Sequence, residues 1–229
     1  MPANSKRYII SLGGSLIVPD EVDVGFLRGF KAVIEAFIKK GNKFLVITGG
    51  GRIARRYIEA AKNLGELNPD DLDWLGIHST RLNAHLLRTI FRKYAHRRII
   101  TNPNKPEAAS EPMIIAAGYR PGWSTDYVAV LLARVYKADT VLNLSSIDYV
   151  YDKNPKTHKN AKPIKNISWK DFRKIVGSKW DPGLNLPFDP VASKLAEKLK
   201  LKVIVMNGKK LDNLRNFLAA KQFKGTVIG

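Results

Sequence analysis

The segment Phe44-Leu-Val-Ile-Thr-Gly-Gly-Gly-Arg-Ile-Ala-Arg-Arg-Tyr-Ile58 constrains this chain more than any other. Phe44 to Thr48 reads as a buried strand, three glycines turn the chain, and a helix begins at about Arg52. Such a turn is an anion site. Glycine lets backbone N–H groups approach a phosphate with no Cβ in the way, and the helix N-terminus adds partial positive charge. Arg52, Arg55 and Arg56 oppose the helix dipole, a cost that makes sense where an anion sits among them. The plainer reading is a glycine turn beside a solvated basic helix face.

The chain repeats the device. Tyr8 to Leu12 reads as a strand that runs into Gly13-Gly14-Ser15, and Met113 to Ala117 runs into Gly118 and the loop Tyr119-Arg-Pro-Gly-Trp-Ser-Thr-Asp126. Three such strand ends fit one crevice at the carboxyl edge of a mostly parallel sheet. The spacing matches neither the dinucleotide fingerprint nor the P-loop.

In order, the pattern predicts a strand from Arg7 and a helix from Val24 to Lys40. The glycine-led helix follows, with Ile53, Ala54, Tyr57, Ile58 and Ala61 inward. Asn68-Pro69-Asp70-Asp71 starts a helix to about Tyr94. Its polar Thr80, Arg81 and Asn83 are expected to pair across a subunit contact. A short strand over Arg98 to Thr101 precedes a proline-rich loop. Ser124 or Thr125 caps a helix through Lys137, and Thr140 to Ser145 is a buried strand. Ser146 to Pro163 reads as a polar lid or base-covering loop. Ser168 caps a helix to Val176, with Asp171 completing a variant capping box. Gly177 to Phe188 reads as mobile. Asp189-Pro190 starts a helix to about Lys200, a strand spans Lys202 to Met206, a helix Leu211 to Lys221, and Thr226 to Ile228 reads as an edge strand. Alternating strands and helices with short connections imply an α/β fold, a three-layer αβα sandwich around a mostly parallel sheet. A single domain is expected, with a soft boundary between lobes of about 1–138 and 139–229.

Composition narrows the chemistry. There are no cysteines, hence no disulfide framework and no thiolate nucleophile or metal ligand. The N-terminus lacks an apolar signal region, and no apolar run approaches membrane-spanning length, so a cytoplasmic protein with no membrane partner is expected. Lys and Arg number 39 against 20 Asp and Glu, a net charge of +19 that points to anionic partners. The lysines are dispersed, as on a solvated surface, so nucleic acid is expected to bind only non-specifically.

His78, His85, His96 and His158 have no metal-ligand spacing, and no serine or cysteine nucleophile motif is present. The telling carboxylates are Asp126 after the third glycine loop, Asp189 at a helix start and Asp148 just past a strand end. Helix capping is the plain explanation for Asp126 and Asp189. Phosphoryl transfer needs phosphate cradles, cations and a metal ion, but no protein nucleophile. Glycine loops, arginines and loop carboxylates suit it.

With those residues in place, the chain resembles the amino-acid kinase family, and within it the archaeal-type uridylate (UMP) kinases. The resemblance rests on Gly13-Gly14-Ser15, on Gly49 to Ile58, on Asp73-Trp-Leu-Gly76 with Thr80 to Ala84, on Gly118 to Asp126, on Ile147 to Tyr151 with Asn154-Pro155, and on Asp189 to Ala192. It implies transfer of the γ-phosphoryl of ATP, with Mg²⁺, to UMP in pyrimidine nucleotide biosynthesis, and a hexamer built as a trimer of dimers. It carries UMP binding onto Gly50, Asp73, Tyr119, Arg120, Pro121, Gly122, Trp123, Ser124 and Thr125, with Asp73 on the ribose hydroxyls. ATP binding falls on Gly14, Ser15, Gly51, Arg55, Ser145, Tyr151 and Asn154, with Tyr151 packed on adenine. Asp126, Asp189 and Arg55 are the implied catalytic residues, with Asp126 organising the phosphate-binding groups and Asp189 helping to hold metal or triphosphate.

The chain departs from the family in three places. Ser11 stands where many members carry a lysine, Tyr149 where a glycine is usual and Asn154 where an aspartate is usual. Arg55, Lys194 and Lys6 are the candidates to replace the lysine's charge. The competing readings are a diverged pseudokinase with a regulatory or nucleic-acid-binding role, and a kinase of another small phosphate acceptor such as isopentenyl phosphate.

Overall fold

The computed structural model describes residues 6–105, 107–155, 157–177 and 186–229. Strand β1 (Arg7–Leu12) leads through a single helical turn, α1 (Gly14–Ile17), to α2 (Val24–Ile38). Then come β2 (Lys43–Thr48), α3 (Gly51–Lys62), α4 (Pro69–Ile90), β3 (Met113–Ala116), α5 (Thr125–Val135) and β4 (Thr140–Ser145). The remainder is β5 (Val150–Tyr151), β6 (Pro163–Ile164), β7 (Asn166–Ile167), α6 (Trp169–Val176), α7 (Pro190–Lys198), β8 (Lys202–Asn207), α8 (Leu211–Leu218) and β9 (Thr226–Ile228).

Seven strands form one sheet in the order β3-β2-β1-β4-β8-β9-β7. From β3 to β8 every pairing is parallel; β9 runs antiparallel to β8, and β7 is parallel to β9. The central strands are apolar on both faces because both faces are covered. Ile10, Leu12, Phe44 and Val46 pack under α1, α2, α4 and α8, while Ile9, Leu45 and Ile47 pack under α5, α6 and α7. The result is the expected αβα sandwich. Because the register pairs Leu12 with Thr48 and Leu144, and Ser145 with Asn207, the glycine-bearing strand ends share one edge.

Side-chain caps fix the helix starts. Asp23 Oδ1 accepts from Phe26 N–H, Asn68 Oδ1 from Asp70 N–H, and Ser168 Oγ from Asp171 N–H. Ser124, not Thr125, caps α5, accepting from Tyr127 N–H at 3.0 Å. Ser168 also donates to Asp171 Oδ2, which completes the expected box.

The structure departs from the pattern at several elements. Arg98 to Thr101 is not a strand; only Ile100 makes a bridge there, to Ala116, before the proline-rich loop diverts the chain. β9 is internal, because the two-residue β7 pairs outside it. The segment read as a loop from Ser146 to Pro163 contains β5, which pairs with β6 in a separate two-stranded sheet. Tyr57 is 63% exposed rather than inward, since α3 lies at the rim and buries none of its residues fully. The helix from Asn68 ends at Ile90, and the last helix at Leu218. Most of the stretch from Gly177 to Phe188, read as mobile, lies outside the described residues. No described helix is long and apolar enough to cross a membrane.

Candidate active site

The glycine loops after β1 and β2 meet backbone against backbone. A Cβ on Gly14 would stand 2.1 Å from Gly51 N and 2.6 Å from Gly49 O, and one on Gly49 would stand 2.6 Å from Gly14 N. Gly51 adopts φ +70°, a conformation that glycine takes without steric cost. Gly49 N–H donates to Leu12 O, and Gly13 N–H to Leu144 O. Three strand ends are thereby joined, and Gly14 and Gly51 open α1 and α3 beside the junction. Glycine at these positions is what lets the two loops pack main chain to main chain.

The arginines divide. Arg52 and Arg56 both pair with Asp20, in the loop after α1. The sequence reading of three guanidinium groups around one anion is therefore corrected: Asp20 engages two of them. Arg55 instead lines a cleft of about 480 Å³ between α3 and the start of α4, with Ile58, Glu59, Lys62 and Leu72.

Residues expected to bind the acceptor come together through α4. Asp73 Oδ2 accepts the N–H of Gly122 at 2.7 Å, which ties the first turns of α4 to the loop of Tyr119 to Thr125. Gly122 has φ +78°, which suits glycine at this contact. The aromatic residues of that loop form a chain: Tyr119 meets Trp123 edge-on at 5.3 Å, and Trp123 meets Tyr127 at 4.8 Å. The guanidinium of Arg120 lies 4.5 Å from the Trp123 ring centre. Pro121 and Thr125 complete the loop. Gly50 sits under α4, where a Cβ would lie 2.7 Å from Ala54 Cβ and 3.3 Å from Gly76 O.

Sequence reasoning missed the residues that hold this arrangement. Thr80 Oγ1 accepts from Gly118 N–H at 2.8 Å, and Thr48 donates to the carbonyl of Thr80. Arg81 donates to the carbonyls of Gly118 and Tyr119, and Asn83 to those of Gly49 and Gly50. The polar stripe of α4 was expected to pair across a subunit contact. Within the chain it clamps two glycine loops; the signals in the sequence were polar residues among apolar neighbours on one helix and the place of Thr80 to Ala84 in the resemblance.

Two carboxylates meet at the head of α5 and α7. Ser11 Oγ donates to Asp126 Oδ1 at 2.9 Å, and Asp189 N–H donates to Asp126 Oδ2 at 3.2 Å. Asp189 Oδ1 accepts from Ala192 N–H at 2.6 Å, so Asp189 is a helix cap as expected. Burial pushes the Asp126 carboxyl up to about 6; the Ser11 hydrogen bond pulls the other way, and the charge of Asp189 adds to the rise. Burial raises Asp189 too, against the N–H of Ala192 and the hydroxyl of Ser124. No ion pair reaches either carboxylate among the described residues. Lys6 precedes the N-terminal end of β1, at the opposite edge of the sheet, which removes it as a replacement cation. Lys194 lies exposed in the second turn of α7.

Of the residues expected to bind ATP, Ser145 ends β4. Its carbonyl accepts from Gly208 N–H at 2.9 Å, and its hydroxyl from Ile147 N–H at 3.4 Å. Tyr151 lies on β5 opposite Pro163, and the carbonyl of Asn154 accepts from Thr157 and His158 N–H. Asp148 is bound by Asn207 Nδ2 at 2.9 Å and by Lys210 Nζ at 2.7 Å, and chiefly Lys210 holds its carboxyl below the usual range.

The described residues do not form a protein-held metal centre. No group of three or more metal-ligating side chains converges among them, and both Asp126 oxygens already accept protein hydrogen bonds. A magnesium ion suits this site only as the companion of nucleotide phosphates, the usual way it enters phosphoryl-transfer sites.

These features define an α/β protein that brings glycine loops and a pair of carboxylates, Asp126 and Asp189, to the carboxyl edge of a parallel sheet. Residues 6–207 match the amino acid kinase family, and the chain belongs to that family. It is 34% identical over 233 residues to the uridylate kinase of Thermoplasma volcanium, covering 98% of each chain. It is 31% identical over 226 residues to that of Sulfurisphaera tokodaii, covering 97% of this chain and 98% of that one. Its fold matches the crystal structure of uridylate kinase from Archaeoglobus fulgidus with a TM-score of 0.83 at 32% identity, over 99% of this chain and 100% of that one.

Proposed function

We propose that this chain transfers the γ-phosphoryl group of ATP to UMP. A phosphate oxygen of UMP attacks the γ-phosphorus, the bond to the β,γ-bridging oxygen breaks, and UDP and ADP leave. The observation that carries the reading is the Asp73–Gly122 contact. It sets a carboxylate against the aromatic loop of Tyr119 to Thr125, above the Gly50 floor. A carboxylate there suits ribose hydroxyls, and the loop suits a flat pyrimidine.

In this reading Gly50, Asp73 and residues 119–125 hold UMP, while Gly14, Ser15, Gly51, Ser145, Tyr151 and Asn154 hold ATP. Magnesium arrives on the ATP phosphates. Arg55 and Lys194 remain as cations for the transferred group, and Asp126 and Asp189 orient the groups around it. The ATP lobe begins at about residue 139. Exposed Tyr57, Leu64, Leu67 and Leu82 on and beside α3 and α4 supply apolar surface for a homo-oligomer, for which a trimer of dimers is the expected form. The net charge of +19 gives nucleic acid only salt-sensitive, non-specific attachment. The place of work is the cytoplasm.

The test is ADP release in a coupled assay with UMP, CMP, isopentenyl phosphate or no acceptor. UMP-dependent turnover well above the others is expected. Turnover on isopentenyl phosphate alone, or none on any acceptor, would replace the reading.

A further inference from the structure

Thr226 is fully buried on β9, in register with Val205 of β8. Its hydroxyl serves neither strand. Oγ1 accepts the N–H of Val150 at 2.8 Å and donates to the carbonyl of Ile164. Val150 and Ile164 face each other across the β5–β6 pair, which is a sheet of its own. One hydroxyl of the seven-stranded sheet thus stands between the two strands of the smaller sheet and satisfies a main-chain group on each. A threonine hydroxyl can donate one hydrogen bond and accept others, so both capacities are in use.

The two strands depend on it unequally. β6 is anchored along the chain, because the carbonyl of Lys165 accepts from Val227 N–H and β7 pairs with β9. β5 has two residues and reaches the larger sheet through the Thr226 hydroxyl and the side chain of Val150, which joins the buried cluster of Trp169, Val205 and Ile228. The bonds between Asp152 and Lys162 close the hairpin on itself and do not tie it to the body. Without the hydroxyl, a buried N–H and a buried carbonyl must find each other or go unpaired, and β5 shifts in either case. Tyr151 follows Val150 directly and shifts with it.

We propose that Thr226 is a positioning residue for ATP: its hydroxyl pins β5 to the main sheet and so sets Tyr151 for the adenine ring before ATP arrives. This rests on the reading of Tyr151 as an ATP contact. Thr226 has no exposed surface and touches neither substrate. Its loss weakens a preorganised base contact and leaves phosphoryl transfer itself alone.

The experiment is steady-state kinetics, with ATP and UMP varied separately, and thermal melting of whole-chain Thr226→Val, Thr226→Ser, Tyr151→Ala and the double variant Thr226→Val/Tyr151→Ala. Valine keeps the shape and removes the hydroxyl; serine keeps the hydroxyl. In Thr226→Val the KM for ATP is expected to rise roughly 3- to 10-fold, the span of one hydrogen bond's net worth, with kcat and the KM for UMP near wild type. Thr226→Ser should restore the KM for ATP even where its Tm falls. A purely structural role would lower Tm and leave the KM for ATP unmoved. In the Tyr151→Ala background Thr226→Val should add little, because the contact it serves is already gone. An unchanged KM for ATP in Thr226→Val, an equal rise in Thr226→Ser, or full additivity in the double variant would overturn the proposal. Tyr151→Ala reports the reading beneath it. A raised KM for ATP there, with none in Thr226→Val, overturns the pin alone; an unchanged KM in Tyr151→Ala overturns both. Amide hydrogen exchange of the wild type removes dependence on the variants. The Val150 N–H should exchange far more slowly than an unpaired amide, and more slowly again with the β,γ-imido analogue of ATP bound but not with UMP. Free exchange at Val150, or exchange indifferent to the analogue, would overturn the proposal.

Discussion

The hydroxyl of Ser11 donates a hydrogen bond of 2.9 Å to Asp126, at the position where many family members place a lysine. A lysine there would neutralise part of the charge on the Asp126–Asp189 pair. A hydroxyl supplies a hydrogen bond and no charge. Burial then dominates, and Asp126 titrates at about 6 instead of near 3.8.

This gives a pH-rate prediction. If turnover requires ionised Asp126, kcat should fall on the acid side with an apparent pKa near 6. Ser11→Ala removes the hydrogen bond that favours the ionised carboxylate, so the acid limb should move to higher pH. A limb that stays in place in Ser11→Ala would assign it to another group.

The same carboxyl sets a stability trend. Its folded pKa lies above the unfolded one, so the folded state binds more protons between about 3.8 and 6, and this group's contribution falls as pH rises through that window. At neutral pH the ionised, desolvated Asp126 is a cost. Asp126→Asn should therefore melt no lower than wild type at pH 7.5, lose most of its activity, and weaken the decline in Tm from pH 4 to 6, leaving the part due to Asp189. Full activity in Asp126→Asn would remove it from the catalytic set.

The strands and helix starts were legible because they depend on short-range patterns. Ile9 to Leu12 and Phe44 to Thr48 are continuous buried runs, and Asn68-Pro69 and Asp189-Pro190 are local caps. β5, β6 and β7 have two residues each and α1 a single turn, too short for any period to show. The glycine cradle was legible as loops, but not as a contact between Gly14 and Gly51. The pairing of Arg52 and Arg56 with Asp20, the clamp of Thr80 and Asn83, and the meeting of Asp126 with Asp189 join residues distant in sequence. Only the closed fold reveals them.

Gly14→Ala tests the cradle. The added Cβ would meet main-chain atoms of Gly49 and Gly51, which cannot swing aside as a flexible side chain would. The KM for ATP should rise or activity should vanish, with some loss of Tm. Wild-type kinetics in a folded Gly14→Ala chain would show that the loops part without consequence.

Asp189→Asn separates capping from charge. Asparagine caps as well as aspartate, and its oxygen can keep the hydrogen bond from Ala192 N–H, so the melting temperature should hold. Asp189→Ala removes the cap and should cost about 0.5–2 kcal/mol. Activity in Asp189→Asn should exceed that in Asp126→Asn. The reverse order would make Asp189 the principal acidic residue.

The arginines of α3 give the sharpest contrast, because they share a helix and differ in partner. Arg52 and Arg56 are half or more exposed and paired with Asp20, an ion pair of the kind worth roughly 0–1 kcal/mol. Replacing either with alanine should leave kcat/KM close to wild type. Arg55 makes no ion pair among the described residues and lines, with Glu59, Lys62 and Leu72, the cleft beside α4, within the segment Gly49 to Ile58 that carries the resemblance. If its guanidinium meets a substrate phosphate, Arg55→Ala should lower kcat/KM by on the order of 10²-fold, the usual cost of removing one preorganised charge stabiliser. Arg55→Lys should recover only part of the loss, since an ammonium cannot reproduce a bidentate phosphate contact. Parallel kinetics of Arg52→Ala, Arg55→Ala and Arg56→Ala decide the matter. Equal, small effects at all three would return Arg55 to the solvated surface and leave Lys194 as the remaining cation for the transferred group.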